Sequence, residues 1–188
     1  MARVKSPEKR TAILLAAVHE IAKVGLGAPT AKIARRAGVA AGTLFTYFPN
    51  KEALLNELYV ELKSEVYTTV NATFPHKGNL ERRARHIWSK SLDWAIKFPE
   101  KRKVSVQLNL SDIITPETRL KTAVQRAAID GTLSELGIRG AQRGLPAGFA
   151  AATMAAMQEV TTEFIAKQPK RRAELIERAF QVFWRVWR

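Results

Sequence analysis

Apolar residues recur along this chain at intervals of three and four, the spacing of one face of an α-helix, and no stretch alternates with the two-residue period of a half-buried strand. The pattern predicts helices over residues 7–24, 30–37, 41–47, 51–73, 80–98, 103–110, 115–136, 146–167 and 170–188. Breakers separate them: Gly25, Gly38, Pro49, the run from Phe74 to Asn79, Pro99, the glycines at 137, 140 and 144, and Gln168-Pro169. The expected fold class is all-α. Its first three helices form a small N-terminal domain over residues 1–50, and residues 51–188 form a larger helical domain.

The stretch from Thr30 to Lys51 differs from an ordinary amphipathic run. Thr30 is placed to cap a helix carrying Ile33, Ala34 and Ala37 on one face, and Gly38 is placed to end it in the left-handed conformation. Val39 then plugs the angle before a short helix that buries Leu44 and is followed by Phe48. Ala41, Gly42, Phe45, Thr46 and Tyr47 are left outside. Asn50 is suited to cap the next helix, whose first turn holds Lys51, where a cation is disfavoured by the helix dipole unless an anion lies nearby. A DNA phosphate is such an anion. Two readings follow from these residues alone: a helix-turn-helix that reads DNA, or a helical hairpin inside a larger bundle with Phe45 and Tyr47 as core aromatics.

Charge favours a polyanionic partner. The net charge is +14, and residues 1–51 hold half of it, with nine Lys or Arg against Glu8 and Glu20. Such asymmetry raises encounter rate and non-specific affinity for nucleic acid without specifying sequence. Lys170-Arg171-Arg172, near the other end, shows that a basic cluster is also compatible with a solvated surface.

Catalytic chemistry finds little support. The chain has no cysteine, which excludes disulfides, thiolate catalysis and cysteine-based zinc sites and is compatible with a reducing cytoplasm. His19, His76 and His86 lack the spacing of a helical metal pair, and no nucleophile elbow or phosphate loop occurs. Neither a metal nor a cofactor is expected. The apolar stretch after Arg10 is interrupted by His19 and Glu20, and the alanine-rich run from Leu145 to Met157 is too short to span a bilayer. No membrane partner is expected.

The last two helices read as interaction surfaces. One is rich in alanine, and the other carries Ile176, Ala179, Phe180, Phe183 and Trp187 with Leu175, Val182 and Val186 beside them, more apolar circumference than a single contact needs. A second chain or the chain's own core could cover the excess. Trp88, Phe98, Phe149 and Met157 supply large or adaptable apolar side chains for a small-molecule pocket, although residues at helical spacing serve equally as core.

Taken in order, Arg10, Ile13, Ala17, Gly25, Thr30, Ile33, Ala34, Ala37, Gly38, Val39, Gly42, Thr43, Leu44, Phe48, Lys51 and Leu54 resemble the DNA-binding segment of the TetR family of bacterial transcriptional regulators. The resemblance covers roughly residues 8–55. Ala40 departs from it where a Ser or Thr usually caps the recognition helix, and Phe45 stands where Tyr is usual. The resemblance implies a cytoplasmic homodimer, paired through its last two helices, that binds a pseudo-palindromic operator on double-stranded DNA as a repressor and responds to a small-molecule effector. On this reading Thr30, Thr43, Tyr47 and Lys51 are placed for phosphate contacts and Ala41, Gly42, Phe45 and Thr46 to meet base edges or thymine methyls. The resemblance also implies an effector cavity without saying which residues line it, and Trp88, Phe98, Phe149 and Met157 are the candidates. A constitutive DNA organiser of the same fold and a helical enzyme are the alternatives.

Overall fold

The computed structural model describes residues 6–138 and 144–187. Among them ten α-helices and a short 3-10 turn, Pro169–Arg171, make up the regular structure, and no strand occurs. The helices are α1 Pro7–Val24, α2 Thr30–Arg36, α3 Ala41–Tyr47, α4 Lys51–Asn71, α5 Leu80–Lys97, α6 Pro99–Asn109, α7 Pro116–Leu120, α8 Ala123–Gly137, α9 Phe149–Lys167 and α10 Arg172–Trp187.

Two compact units result. One contains the residues up to Glu65 together with Phe98–Thr122, and the other contains Val66–Lys97 and the chain from Ala123 onward. The first unit therefore extends past residue 50, because its core needs the start of α4 and all of α6. Ile13 and Ile21 of α1, Ile33 of α2, Leu44 of α3, Leu54 and Leu58 of α4, and Val104 and Leu108 of α6 are all buried. Each such side chain contributes on the order of 1.5–3 kcal/mol on leaving water.

Polar pairs at the edge of this core set helix register. Arg10 donates to Glu57 at 2.9 Å and Glu61 at 3.2 Å, and Lys121 reaches the other oxygen of Glu57 at 2.9 Å. The Lys121 ammonium, assisted by the Arg10 guanidinium, holds the Glu57 carboxyl below the usual carboxylate range. Asn56 works as a staple: its Nδ2 donates to the Ile113 carbonyl at 2.9 Å, and its Oδ1 accepts from the Thr115 N–H at 3.1 Å.

In the second unit Trp88 is the centre of an aromatic cluster. Its ring stacks on Phe183 at 5.9 Å and meets Phe180 edge-on at 6.1 Å, and its Nε1 donates to the Ile176 carbonyl at 3.0 Å. Buried Thr132, Thr161 and Thr162 direct their hydroxyls to carbonyls one turn back at 2.7–2.8 Å, which satisfies them without a partner helix.

Several boundaries differ from the sequence pattern for identifiable reasons. Pro99 both follows α5 and occupies the first turn of α6, so α6 begins there rather than at residue 103. The helix expected over 115–136 is broken after Leu120, where Thr122 is buried and its hydroxyl donates to the Arg119 carbonyl at 3.4 Å. Gly148 has φ 85°, which no right-handed helix accommodates, so α9 starts at Phe149 instead of Pro146. The loop glycine at 140 and the end of the last helix at 188 lie outside the described residues.

Candidate nucleic-acid interface

The turn between α2 and α3 is built by backbone hydrogen bonding. Gly38 adopts φ 69°, its N–H donates to the Arg35 carbonyl at 3.1 Å, and the Val39 N–H reaches back to Ala34 at 3.0 Å. This is the paired 6→1 and 5→2 closure of a Schellman motif, and it needs a left-handed residue where glycine stands. The two helices are thereby set at an angle, with Leu44 and Phe48 turned inward.

What remains outside α3 matches the expected reading face. Ala41, Gly42, Phe45 and Thr46 are exposed, Phe45 at 44%. Nothing lies within 4 Å of where a Cβ on Gly42 would point. The Thr46 hydroxyl donates to the Gly42 carbonyl at 3.1 Å, leaving its methyl and an oxygen lone pair on the surface. Thr43 is half-buried at the side of the helix. Ala40 occupies the N-cap of α3 without a capping side chain.

Two expected details change. Thr30 is not a cap: Pro29 holds that position, and its carbonyl accepts from both Lys32 and Ile33 at 3.0 and 3.2 Å, so Thr30 is the first helical residue. Tyr47 is half-buried rather than fully outside, because its hydroxyl oxygen accepts a 2.8 Å hydrogen bond from the Ser6 N–H. Lys51 is half-buried too, in a first turn capped by Asn50, whose Oδ1 accepts from the Ala53 N–H at 2.7 Å. Its ammonium has no ion-pair partner among the described residues.

Basic residues that the sequence pattern did not single out also reach this unit's surface. Lys32, Arg35 and Arg36 line a shallow depression of about 440 Å³ beside Glu20. Arg36 pairs with Glu20 and holds that buried carboxyl below its ordinary range. Their exposed positions on α2 are legible from its periodicity, with Ile33 and Ala34 as the inward pair.

The four expected effector residues have different surroundings. Trp88 is fully buried in the aromatic cluster, whereas Phe149 is 44% exposed with its ring 6.3 Å from Trp187. Met157 lines a different feature, an open apolar depression of about 320 Å³ shared with Ala156, Val160, Thr161, Ala179 and Val182 on α9 and α10. Phe98 belongs to the first unit, where the Lys101 ammonium lies 4.9 Å from its ring centre. Helical spacing identifies apolar faces but does not distinguish a face that meets the chain's own core from one that meets something else.

Known proteins share both the N-terminal segment and the fold. Residues 13–58 match the family model described as bacterial regulatory proteins of the tetR family. A Shewanella sp. PV-4 protein assigned to the tetR family of transcription regulators is 27% identical, with 95% of this chain and 97% of that one covered and a TM-score of 0.72. A TetR family transcription regulator from Marinobacter aquaeolei VT8 is 25% identical over 94% of each chain, with a TM-score of 0.78. The chain matches the TetR family in its N-terminal segment and is similar to TetR family regulators in fold over nearly its whole length. TetR family proteins are DNA-binding transcription regulators rather than enzymes, and the helix-turn-helix described above is their DNA-binding element. The fold is also that of the TetR-like regulator LfrR from Mycobacterium smegmatis in complex with proflavine, 22% identical over 94% of this chain and 95% of that one, with a TM-score of 0.66. Among the described residues no helix is long and apolar enough to cross a membrane.

Proposed function

We propose that this chain is a ligand-responsive repressor of the TetR family that binds a pseudo-palindromic operator as a homodimer. Residues 1–50 would act as the DNA-binding domain and residues 51–188 as the effector-binding and dimerisation domain. The observation that carries the DNA contact is the face of α3, where Ala41, Gly42, Phe45 and Thr46 stand exposed beside the unpaired Lys51. A groove-facing helix needs small residues for close approach and apolar or hydroxyl groups for thymine methyls and base edges. Thr30, Thr43, Tyr47 and Lys51 flank that face and are assigned to phosphates, which set position and register.

The homodimer is assigned to α9 and α10. Val160, Phe164, Val182 and Val186 are each about half exposed there, at 54%, 46%, 55% and 48%, and Met157 and Ala179 lie among them. A second copy of the same face is self-complementary and would cover it, as an isologous two-fold contact requires. Two reading heads then demand two inverted half-sites.

Response to an effector follows if a small molecule binds the non-DNA conformation more tightly, since reciprocity then requires DNA to weaken ligand binding. The Trp, Phe and Met side chains of the second unit, broad and polarizable, favour a mostly apolar, aromatic effector. Selection of bound fragments from a random DNA pool tests the proposal. Inverted repeats released by an apolar aromatic compound are expected; recovery of no preferred sequence overturns the operator assignment, and indifference to every compound favours a constitutive DNA organiser.

A further inference from the structure

Lys32, Arg35 and Arg36 stand three and four positions apart on α2, so they share one helix face, and all three are exposed. Like charges at that spacing repel one another. The helix dipole explains only part of the arrangement: Arg35 and Arg36 lie in the last turn, where a cation is favoured, but Lys32 lies in the first, which holds no acid to offset it. Among the described residues neither Lys32 nor Arg35 has an ion-pair partner. The face therefore carries uncompensated positive charge within the unit that presents α3.

Glu20 of α1 completes the geometry. It is the one charged residue that is buried among the described residues, and its Oε1 accepts from the Arg36 Nε–H at 2.5 Å. A buried carboxylate is costly unless paired, and this pairing engages only the Nε of the guanidinium. Its Nη1 and Nη2 groups have no partner among the described residues, and the side chain is 41% exposed. An arginine gripped through Nε presents a fixed fork of donors that matches two oxygens of a phosphate. All four side chains line the same depression, three cations against one carboxylate.

We infer that this depression is a phosphate site for the DNA backbone, separate from the exposed face of α3, and that Glu20 is a positioning residue acting through Arg36. In a helix-turn-helix the first helix crosses the backbone while the second lies in the groove, which brings phosphates to α2. The inference rests on the DNA-binding role proposed above.

Charge alone and positioning predict opposite signs at Glu20. Its replacement by leucine adds one net positive charge, which by electrostatics tightens binding to a polyanion, whereas loss of the grip on Arg36 weakens it. The experiment titrates a mixed-sequence DNA duplex over a chloride series with wild type, Glu20→Leu, Glu20→Gln, Arg36→Ala, Glu20→Leu/Arg36→Ala and Lys32→Ala/Arg35→Ala, each first shown to be folded by circular dichroism. The slope of log affinity against log salt changes by about 0.9 for each phosphate contact on B-DNA, so Arg36→Ala should lower it by about one per chain and Lys32→Ala/Arg35→Ala by roughly two. Glu20→Leu should weaken binding and lower the slope toward that of Arg36→Ala, with no further loss when the two are combined. Glu20→Gln, which keeps an acceptor for the Arg36 Nε–H, should recover most of the affinity lost in Glu20→Leu. Tighter binding by Glu20→Leu, full additivity with Arg36→Ala, or an unchanged slope in Lys32→Ala/Arg35→Ala overturns the inference. That last pair lies on an exposed face, so its result does not depend on Glu20→Leu folding well. If inorganic phosphate at matched ionic strength raises the wild-type unfolding temperature while the slopes stay fixed across the variants, the site belongs to a free phosphate and its assignment to DNA is overturned. Failure of the wild type to bind any duplex would instead overturn the DNA-binding role itself.

Discussion

Two adjacent residues of α10 should fail in opposite ways. Val182 is 55% exposed on the open apolar face, whereas Phe183 is wholly buried and stacked on Trp88 at 5.9 Å. Truncating Val182 to Ala removes about half a valine's burial, on the order of 1 kcal/mol per chain. A two-fold interface contains the residue twice, so the loss is about 2 kcal/mol per dimer, or roughly thirtyfold in dissociation constant. Val182→Glu goes further, because an unpaired carboxylate in a covered apolar face costs several kcal/mol per ion, and two of them would meet across the axis. The monomer itself should hold, since residue 182 makes only one edge of its surface. Phe183→Ala instead removes core: about 3–5 kcal/mol out of a total stability of roughly 5–15 kcal/mol, so unfolding precedes any clean dissociation. Sedimentation equilibrium over a concentration series, paired with denaturant unfolding, distinguishes the two. Val182→Glu should sediment as the 21.0 kDa chain with a near-wild-type urea midpoint. If it remains a dimer, or if wild type is already monomeric at micromolar concentration, the interface assignment to α9 and α10 is wrong.

Three further outcomes test the reading head and its supports. Lys51→Ala should weaken specific and non-specific DNA alike and lower the salt slope by about one per half-site, measured by fluorescence anisotropy, while Thr46→Ala should shift base preference in a selected pool. Gly42→Ala, with open space at the new Cβ, should raise stability by up to about 1 kcal/mol through helix propensity yet weaken operator binding, because the methyl occupies the face that approaches the bases. A Gly42→Ala variant that binds operator as well as wild type would remove α3 from close contact with the groove. Glu57 has a folded-state pKa depressed below its unfolded value, so its pairing with Lys121 and Arg10 adds stability above the ordinary carboxylate pKa of about 4.3 that is lost as pH falls through the folded value. Glu57→Gln should therefore destabilise at neutral pH and flatten the acid limb of a urea-midpoint profile. The effect is modest, since the carboxylate is 36% exposed and screened by solvent.

Local chemistry makes much of this protein legible in its sequence. Gly38 announces a left-handed helix end, Asn50 and Thr115 announce caps, and the structure shows φ 69° at Gly38, a 2.7 Å cap at Asn50 and a 3.2 Å cap at Thr115. These features depend on residues a few positions apart, so their physics is complete within a short window of the chain. The exposed face of α3 is likewise readable from periodicity about a single inward Leu44. What needs the tertiary structure is the identity of each apolar side chain's neighbour. A stripe containing both Val182 and Phe183 does not reveal that one faces out and the other packs on Trp88, and nothing local to Thr122 marks a helix break. Tyr47 is the clearest case: its place on α3 follows from the sequence, but its hydrogen bond to Ser6 joins segments 41 residues apart. Helix formation is decided by nearest neighbours along the chain, whereas burial and polar pairing are decided by which distant surfaces the packed units bring together.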